Sequence, residues 1–458
     1  MSLFLAPTFI PTPFKIIIKW KCVPPLKGLD LLFEKSTLSA LVNSNAQYDA
    51  PTCDKGTHEA IIQRIMDWVK SDEERVSALW LHGPAGSGKS ALAKTIAELC
   101  MTKNSLIATF FFTRTRDDHV MDGNLLIPTI FHKTRQEQTE ELIIKPLNTK
   151  FSCLEYHYRQ LVQRASPQLI IIDGLDECFG KEVQRDLLHI LGKATESLHL
   201  LIHFLIASQL ETHIRQLITD GETFKVDHLT TLNLADDLDT VHDICIYLEL
   251  QFSKIRSRHP IRDAIPANWP SPEDITALIE RASGQFIFVS TVCGYISSAK
   301  HHPVRHLRII IEHLPPPAAD TPYGQLDLLY SFIFSFAEEL KINIDQVLQV
   351  FGILIVPRPE GAPDDLYTIY VGIGKILNMT PDDDVLLLNE FVSLLDLPPL
   401  LSWRQIRILH ASIAGFLFDA SQSGPFYINI HRVHSALALY YQKQTHEYLE
   451  KIHLYHKH

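Results

Sequence analysis

The sequence predicts an α/β fold, a parallel sheet flanked by helices, followed by an α-helical lid and a winged-helix-like domain. Three observations carry this expectation. From about residue 76 to 230, short continuous apolar runs alternate with amphipathic stretches, the pattern of strands buried on both faces of a parallel sheet. A glycine-rich stretch directly follows the first of those runs and opens a helix. Beyond residue 230 the strand signal fades into capped helices, and the chain closes on further helices with a small β element.

Composition bounds the function. The 458 residues are 46% hydrophobic and 21% charged, a globular composition that fills two to four domains at roughly 100 to 200 residues each. A formal net charge of −11 opposes phosphate backbones and anionic lipid, so neither nucleic acid nor a membrane is expected as a partner. The seven cysteines, at 22, 53, 100, 153, 178, 245 and 293, are scattered with no CxxC pair. That spacing suggests neither a disulfide framework nor a zinc site, and fits a reducing compartment. No stretch reaches the ~18 to 20 uninterrupted apolar residues of a membrane-spanning helix. The opening MSLFLAPTFIPTPF lacks the charged start of a secretory leader, and Pro7, Pro11 and Pro13 break its apolar run. A cytoplasmic location is expected.

Taken in order, residues 1–34 form an N-terminal extension, too short and proline-rich for a domain. Residues 35–75 are a helical linker: from about Thr57, Ile61, Ile62, Ile65 and Trp68 recur at helical spacing, with Glu59 in the first turn where the helix dipole favours an acid. The core, residues 76–230, has strands at Ala78 to Leu81, Leu106 to Phe112, Leu169 to Ile172, Leu201 to Ile206 and Phe224 to Leu229. In the lid, residues 231–314, a helix begins at Ser271 or Pro272 with Ile275, Leu278 and Ile279 on one face, and a second helix follows. Pro315, Pro316 and Pro317 start a stiff connector, residues 315–322. Residues 323–458 hold helices at Leu326 to Phe336, Ile344 to Ile355 and near Leu387 to Leu395, with β segments at Ile406 to Leu409 and Phe426 to Ile430. The closing KIHLYHKH is read as an unconstrained tail whose histidines lack a scaffold for a metal.

The chemistry concentrates after the first strand. Gly83-Pro84-Ala85-Gly86-Ser87-Gly88-Lys89-Ser90 fits G-x-x-x-x-G-K-[ST], and Ala91 continues into a good helix. Glycines let the loop wrap so that backbone N–H groups converge on phosphate oxygens at the positive end of that helix. Lys89 then neutralises β and γ phosphates, and the Ser90 hydroxyl is a ligand for Mg²⁺. The second half of such a P-loop NTPase site is LIIIDGLDE, which sets Asp173 at the exit of a buried strand to hold Mg²⁺ directly or through water. Asp176 and Glu177 follow as candidates to orient or deprotonate the attacking water.

GPAGSGKSALAKTIAE together with IIIDGLDEC resembles the NACHT class of STAND, NLR-like P-loop NTPases, specifically fungal proteins with a nephrocystin-type NACHT module. NAQYDAPTCDKGTHEAIIQRIMDWV, TFFFTRTRDD, WPSPEDITALIERASGQFIF and RILHASIAGFLFDASQSGPFYI agree with that family in the same order, from about residue 36 to 435. The resemblance implies an NTPase, helical lid and winged helix closing around ATP or ADP. In it ADP holds a closed form, and ATP favours an open form that self-associates and passes a signal from an unknown trigger to an unknown effector. It also implies that His410 reaches a phosphate in the closed state, although read alone His410 is a packed core histidine. Where the family reads T-S-R-P-E, this chain has Ala207-Ser208-Gln209-Leu210-Glu211; neutral Gln209 offers a weaker contact than arginine, so impaired hydrolysis is expected. Arg114 matches another family arginine that would partly compensate. Three readings therefore stand: a purine-nucleotide switch, a scaffold that binds nucleotide without turnover, and a DNA-processing ATPase, which the acidic and apolar C-terminal helices disfavour.

Overall fold

The computed structural model describes residues 52–71, 76–103, 105–112, 126, 168–197, 202–219, 221, 223–236, 239–316, 324–356, 387–397 and 406–455. The N-terminal extension, Arg114 and most of the connector lie outside the described residues. Helix α1 (Glu59–Lys70) precedes strand β1 (Ala78–His82), which a loop joins to α2 (Lys89–Thr102). Then come β2 (Leu106–Phe111), β3 (Gln168–Asp173), α3 (Lys181–Ser197), β4 (Ile202–Ser208), α4 (Thr212–Thr219) and β5 (Leu229–Asn233). All pairings among these strands are parallel, in the order β2-β3-β4-β1-β5. β4 thus lies between β1 and β3, and the end of β4 separates the glycine loop from Asp173.

The strands are continuous apolar runs because both faces are covered. Alternation along β1 sends Leu79 and Leu81 to one face, with Ile171 and Leu205, under Ile61 and Ile65 of α1 and Leu92 and Ile96 of α2. Ala78 and Trp80 go to the other, with Phe110, Ile172 and Ile206, under Leu187 and Leu188 of α3 and Ile214 of α4. Burying one leucine-sized side chain is worth about 1.5–3 kcal/mol, so this double-faced layer dominates the stability of the sheet.

His203 on β4 is the exception among these residues, an imidazole 2% exposed and edge-on to Trp68. Burial lowers its pKa to about 4. The neutral ring is thus favoured in the fold, while the unfolded chain takes up a proton near pH 6.5. Its stabilising contribution is complete above pH 6.5 and is lost as pH falls from 6.5 towards 4, by up to about 3 kcal/mol. Urea unfolding across that range is expected to lose this increment, and His203→Leu to flatten the slope by one proton; an unchanged slope would contradict it.

Helices follow the sheet: α5 (Thr240–Arg258), α6 (Pro272–Ala282), α7 (Phe286–Ile296) and α8 (Pro303–His313). The start of α6 is as the sequence predicts, Ser271 accepting from the Asp274 amide at 3.1 Å and donating its own amide to the Asp274 carboxylate at 3.0 Å, with Pro272 at the first helical position. Then come α9 (Gly324–Glu339), α10 (Ile344–Ile355), the antiparallel pair β6 (Leu395–Asp396) and β7 (Arg407–Ile408), α11 (Ser412–Phe418), the single turn α12 (Ala420–Ser423) and α13 (Ile430–Tyr455). One apolar core, from Ile244 of α5 to Leu437 of α13, binds these helices together. The turn before α8 is also tied to residues 389–391 by charge: Glu390 accepts from Lys300 Nζ at 2.6 Å and faces His301 Nε2 at 3.3 Å, which hold its pKa down near 2.

Four expectations shift. The fifth strand begins at Leu229, because Val226–His228 form a 3-10 turn and register with β1 starts at Ala78 opposite Leu229; Phe224 is instead a buried plug on the Trp80 side of the sheet. Near Leu387 to Leu395 only Leu387 and Leu388 are α-helical among the described residues; a 3-10 turn at Asn389–Phe391 then leads into β6, because Leu395 pairs with Ile408 rather than continuing the helix. Phe426 to Ile430 is not a strand: Gly424–Phe426 is a 3-10 turn with Pro425 in its first turn, and the Ile428 amide bonds back to the Leu417 carbonyl before α13 begins. The tail is helical through Tyr455. Among the described residues no helix is long and apolar enough to cross a membrane, and no cluster of metal-ligating side chains occurs.

Candidate functional site

The loop Gly83–Gly88 leaves the buried end of β1 and enters α2 through Gly88, which caps the helix at φ 92°, a left-handed conformation that a side chain resists. Gly86 is also left-handed, at φ 72°, and its carbonyl accepts from the Ile287 amide at the start of α7 at 3.2 Å. A Cβ on Gly86 would lie 2.1 Å from Ile287 Cγ2, and one on Gly88 would lie 3.0 Å from His58 Nε2. Glycine is therefore required here by close approach as well as by conformation. Ser87 is buried, and among the described residues its hydroxyl has no hydrogen-bond partner. Pro84 and Ala85 complete the loop, half-buried, and Ala91 lies in the first turn of α2.

Lys89 folds back over this loop. Its ammonium donates to the Gly83 carbonyl at 2.9 Å and the Pro84 carbonyl at 2.8 Å. Burial lowers its pKa, opposed by the negative charges of Asp176, Asp173 and Glu177. One cation thus faces three carboxylates, an excess of negative charge that a divalent cation would neutralise. Asp173, 3% exposed at the end of β3, bonds with the Ser90 side chain; burial raises its pKa to about 6, with Ser90 and Lys89 pulling the other way. The sequence separates Ser90 and Asp173 by more than eighty positions, and the fold brings both to the same corner. Hard oxygen donors beside a glycine loop with an unpartnered buried hydroxyl fit a Mg²⁺-bound phosphate.

The two candidate acids differ. Asp176 is buried, and its Oδ1 accepts the Gln209 amide at 2.9 Å, so one carboxylate oxygen is committed to holding the end of β4. Glu177 is half-buried in the 3-10 turn Leu175–Glu177, its amide bonded to the Gly174 carbonyl at 2.7 Å. Of the pair, Glu177 has the side chain more open to solvent. Gln209 itself sits beside Asp176, bonded to it through its backbone amide.

His410 lies far along the chain from the loop. It is half-buried ahead of α11, burial lowers its pKa to about 4, and its carbonyl accepts from the Ile413 amide at 3.2 Å. Ile287 lies against the loop at Gly86, His58 at Gly88 and Leu234 at Gly83. His58 occupies a left-handed turn at φ 55°, its ring 4.9 Å from Phe286 of α7 and its Nδ1 3.2 Å from the Asp243 carboxylate of α5. This buried histidine therefore joins α1, the loop, α5 and α7. Sequence reading passed over it; its place just ahead of a helix start, in the DKGTHEA stretch, was the available signal.

The family model described as Nephrocystin 3, N-terminal, matches residues 56–209, from the turn before α1 to the end of β4. That segment, which carries the glycine loop, Asp173 and the two acids after it, is thus similar to the nephrocystin N-terminal family. No curated protein sequence matches the chain. Among solved structures, a signal transduction ATPase with numerous domains and a tetratricopeptide repeat sensor, from Pyrococcus horikoshii, is similar at 13% identity and TM-score 0.36 over 80% of this chain and 43% of its own. A Walker-type ATPase of Pyrococcus abyssi is similar at 14% identity and TM-score 0.35, over 80% and 97% respectively. A katanin structure, described for its self-assembly, is similar at 10% identity and TM-score 0.31, over 67% and 96%. The chain spans less than half the length of the first of these.

Proposed function

We propose that this chain is a nucleotide-operated switch of the STAND class that binds ATP and ADP with Mg²⁺. The observation that carries the reading is the convergence of Lys89, Ser90 and Asp173 on a loop whose glycines leave no room for side chains. In this reading Gly83 to Ala91 line the phosphates, Lys89 exchanges its two loop carbonyls for phosphate oxygens, and Ser90 and Asp173 hold the metal. A bound Mg²⁺ supplies charge neutralisation between phosphate oxygens. Glu177 takes the water-activating role, while Asp176 steadies the end of β4.

A switch requires unequal affinity of the two nucleotides for two conformations. The contacts placed to sense this are between the loop and the lid, Gly86 to Ile287 and Gly88 to His58. His410, in the winged-helix-like region of residues 323–458, would add a third by reaching a phosphate in the closed form. Hydrolysis is slow in this reading, because Gln209 replaces a charged sensor and Asp176 is partly committed. That same pair favours the second reading, a scaffold that takes nucleotide for stability alone.

Sedimentation of the full chain with Mg²⁺ and either ADP or a slowly hydrolysed ATP analogue, alongside phosphate release, separates the two. The switch predicts a larger species with the ATP analogue only; identical sedimentation with both nucleotides and no phosphate release would leave the scaffold.

A further inference from the structure

A buried polar chain lies behind the acids, outside the residues assigned to the site. Gln184, on the first turn of α3, is 4% exposed. Its amide nitrogen donates to the Cys178 carbonyl at 2.7 Å and to the Asp176 carbonyl at 3.4 Å, at either side of Glu177. Because two carbonyls face that nitrogen, the amide oxygen must point the other way, and it meets His213 Nε2 on α4 in a short hydrogen bond. His213 Nε2 is therefore the donor in that bond. The other ring nitrogen, Nδ1, lies 3.3 Å from the Glu211 carboxylate, two residues beyond Gln209. The Gln209 amide closes the circuit on Asp176 Oδ1 at 2.9 Å.

The segment after β4 and the acidic turn after β3 are thus joined twice, once directly through Gln209 and once through His213 and Gln184. A buried amide that satisfies three partners fixes its neighbours in one arrangement, since any displacement strands a donor or an acceptor away from water.

We propose that Gln184 is a positioning residue, holding the Leu175–Glu177 turn so that Asp176 and Glu177 face the metal corner, with His213 linking that placement to the end of β4. It rests on the nucleotide-binding reading above. Among the described residues, the hydrogen bonds of Gln184 go to the acidic turn and to His213 and not to the glycine loop or Lys89, so its removal is expected to act on the acids and leave the phosphate cradle in place.

Calorimetry on the full chain tests this, comparing ATP affinity in the presence of Mg²⁺ with that in excess chelator. The parent is expected to bind more tightly with the metal. In Gln184→Leu, metal-free affinity is expected to stay within about twofold, while the gain from Mg²⁺ shrinks about tenfold, as loss of an outer partner of a metal site does. A gain that persists unchanged overturns the proposal, and so does an equal fall of both affinities, which marks a merely structural role. If Gln184→Leu does not fold, His213→Ala, cut at the more exposed end of the chain, decides by the same comparison with the same direction. A parent that binds nucleotide with no gain from Mg²⁺ overturns the positioning role alone; a parent that binds no nucleotide brings down the site reading and this role with it.

Discussion

Lys89→Ala is expected to weaken binding of both ADP and Mg²⁺-ATP by about 10- to 150-fold, the equivalent of the ~1.5–3 kcal/mol that a hydrogen bond to a charged group contributes. The geometry makes the loss specific. The Lys89 ammonium is the cation against which Asp173, Asp176 and Glu177 are set, and its two present partners, the Gly83 and Pro84 carbonyls, belong to the phosphate loop itself. Without it, three carboxylates face an incoming polyphosphate with no compensating charge. Asp173, already raised to about pH 6 by burial, loses a group that pulls it down, so its protonation moves to still higher pH. Calorimetric affinities for parent and variant check this, with circular dichroism showing that the variant is folded. Equal affinities would show that the loop does not grip phosphate.

Gly86→Ala is expected to cost about 2–5 kcal/mol and to separate the loop from α7. Two terms contribute. A non-glycine residue at φ 72° costs about 1–2 kcal/mol. The new methyl would lie 2.1 Å from Ile287 Cγ2, and overpacking of that kind costs about 1–3 kcal/mol unless α7 withdraws and breaks the Gly86 to Ile287 hydrogen bond. Urea unfolding of Gly86→Ala, Ile287→Ala and the double variant separates the terms. Ile287→Ala is expected to relieve the steric part and leave the conformational part, a coupling of about 1–3 kcal/mol. Strict additivity would mean that the loop and α7 are not in contact in solution.

Much of this was legible in the sequence because it depends on local chemistry. Apolar runs such as LIIID and IHFLIAS admit few readings other than strands buried on both faces, and Ser271-Pro272-Glu273-Asp274 carries a helix start in four residues. The glycine loop and its strand and helix flanks were visible for the same reason. What failed was decided by pairing partners distant in sequence. Phe224 to Leu229 reads as a strand, but the register with β1 begins only at Leu229; Leu387 to Leu395 has helical spacing, but Leu395 is claimed by Ile408. Within the site, sequence set Asp176 and Glu177 as equals, and only the Gln209 amide, 33 positions away, distinguishes them. Gln184, His213 and His58 carry no motif. Their importance arises from which carbonyls, carboxylates and glycines the fold sets beside them, and a single sequence holds no record of that.

The central claim is that Gly83 to Ser90 and Asp173 together form a magnesium–nucleotide site. Titration of the full, folded chain with ADP in the presence of Mg²⁺, followed by calorimetry, tests it most directly. The account predicts saturable binding of one nucleotide per chain, with thermal stability rising by about 2.7 kcal/mol at a hundredfold excess over Kd. A folded chain that takes up no purine di- or triphosphate would contradict it.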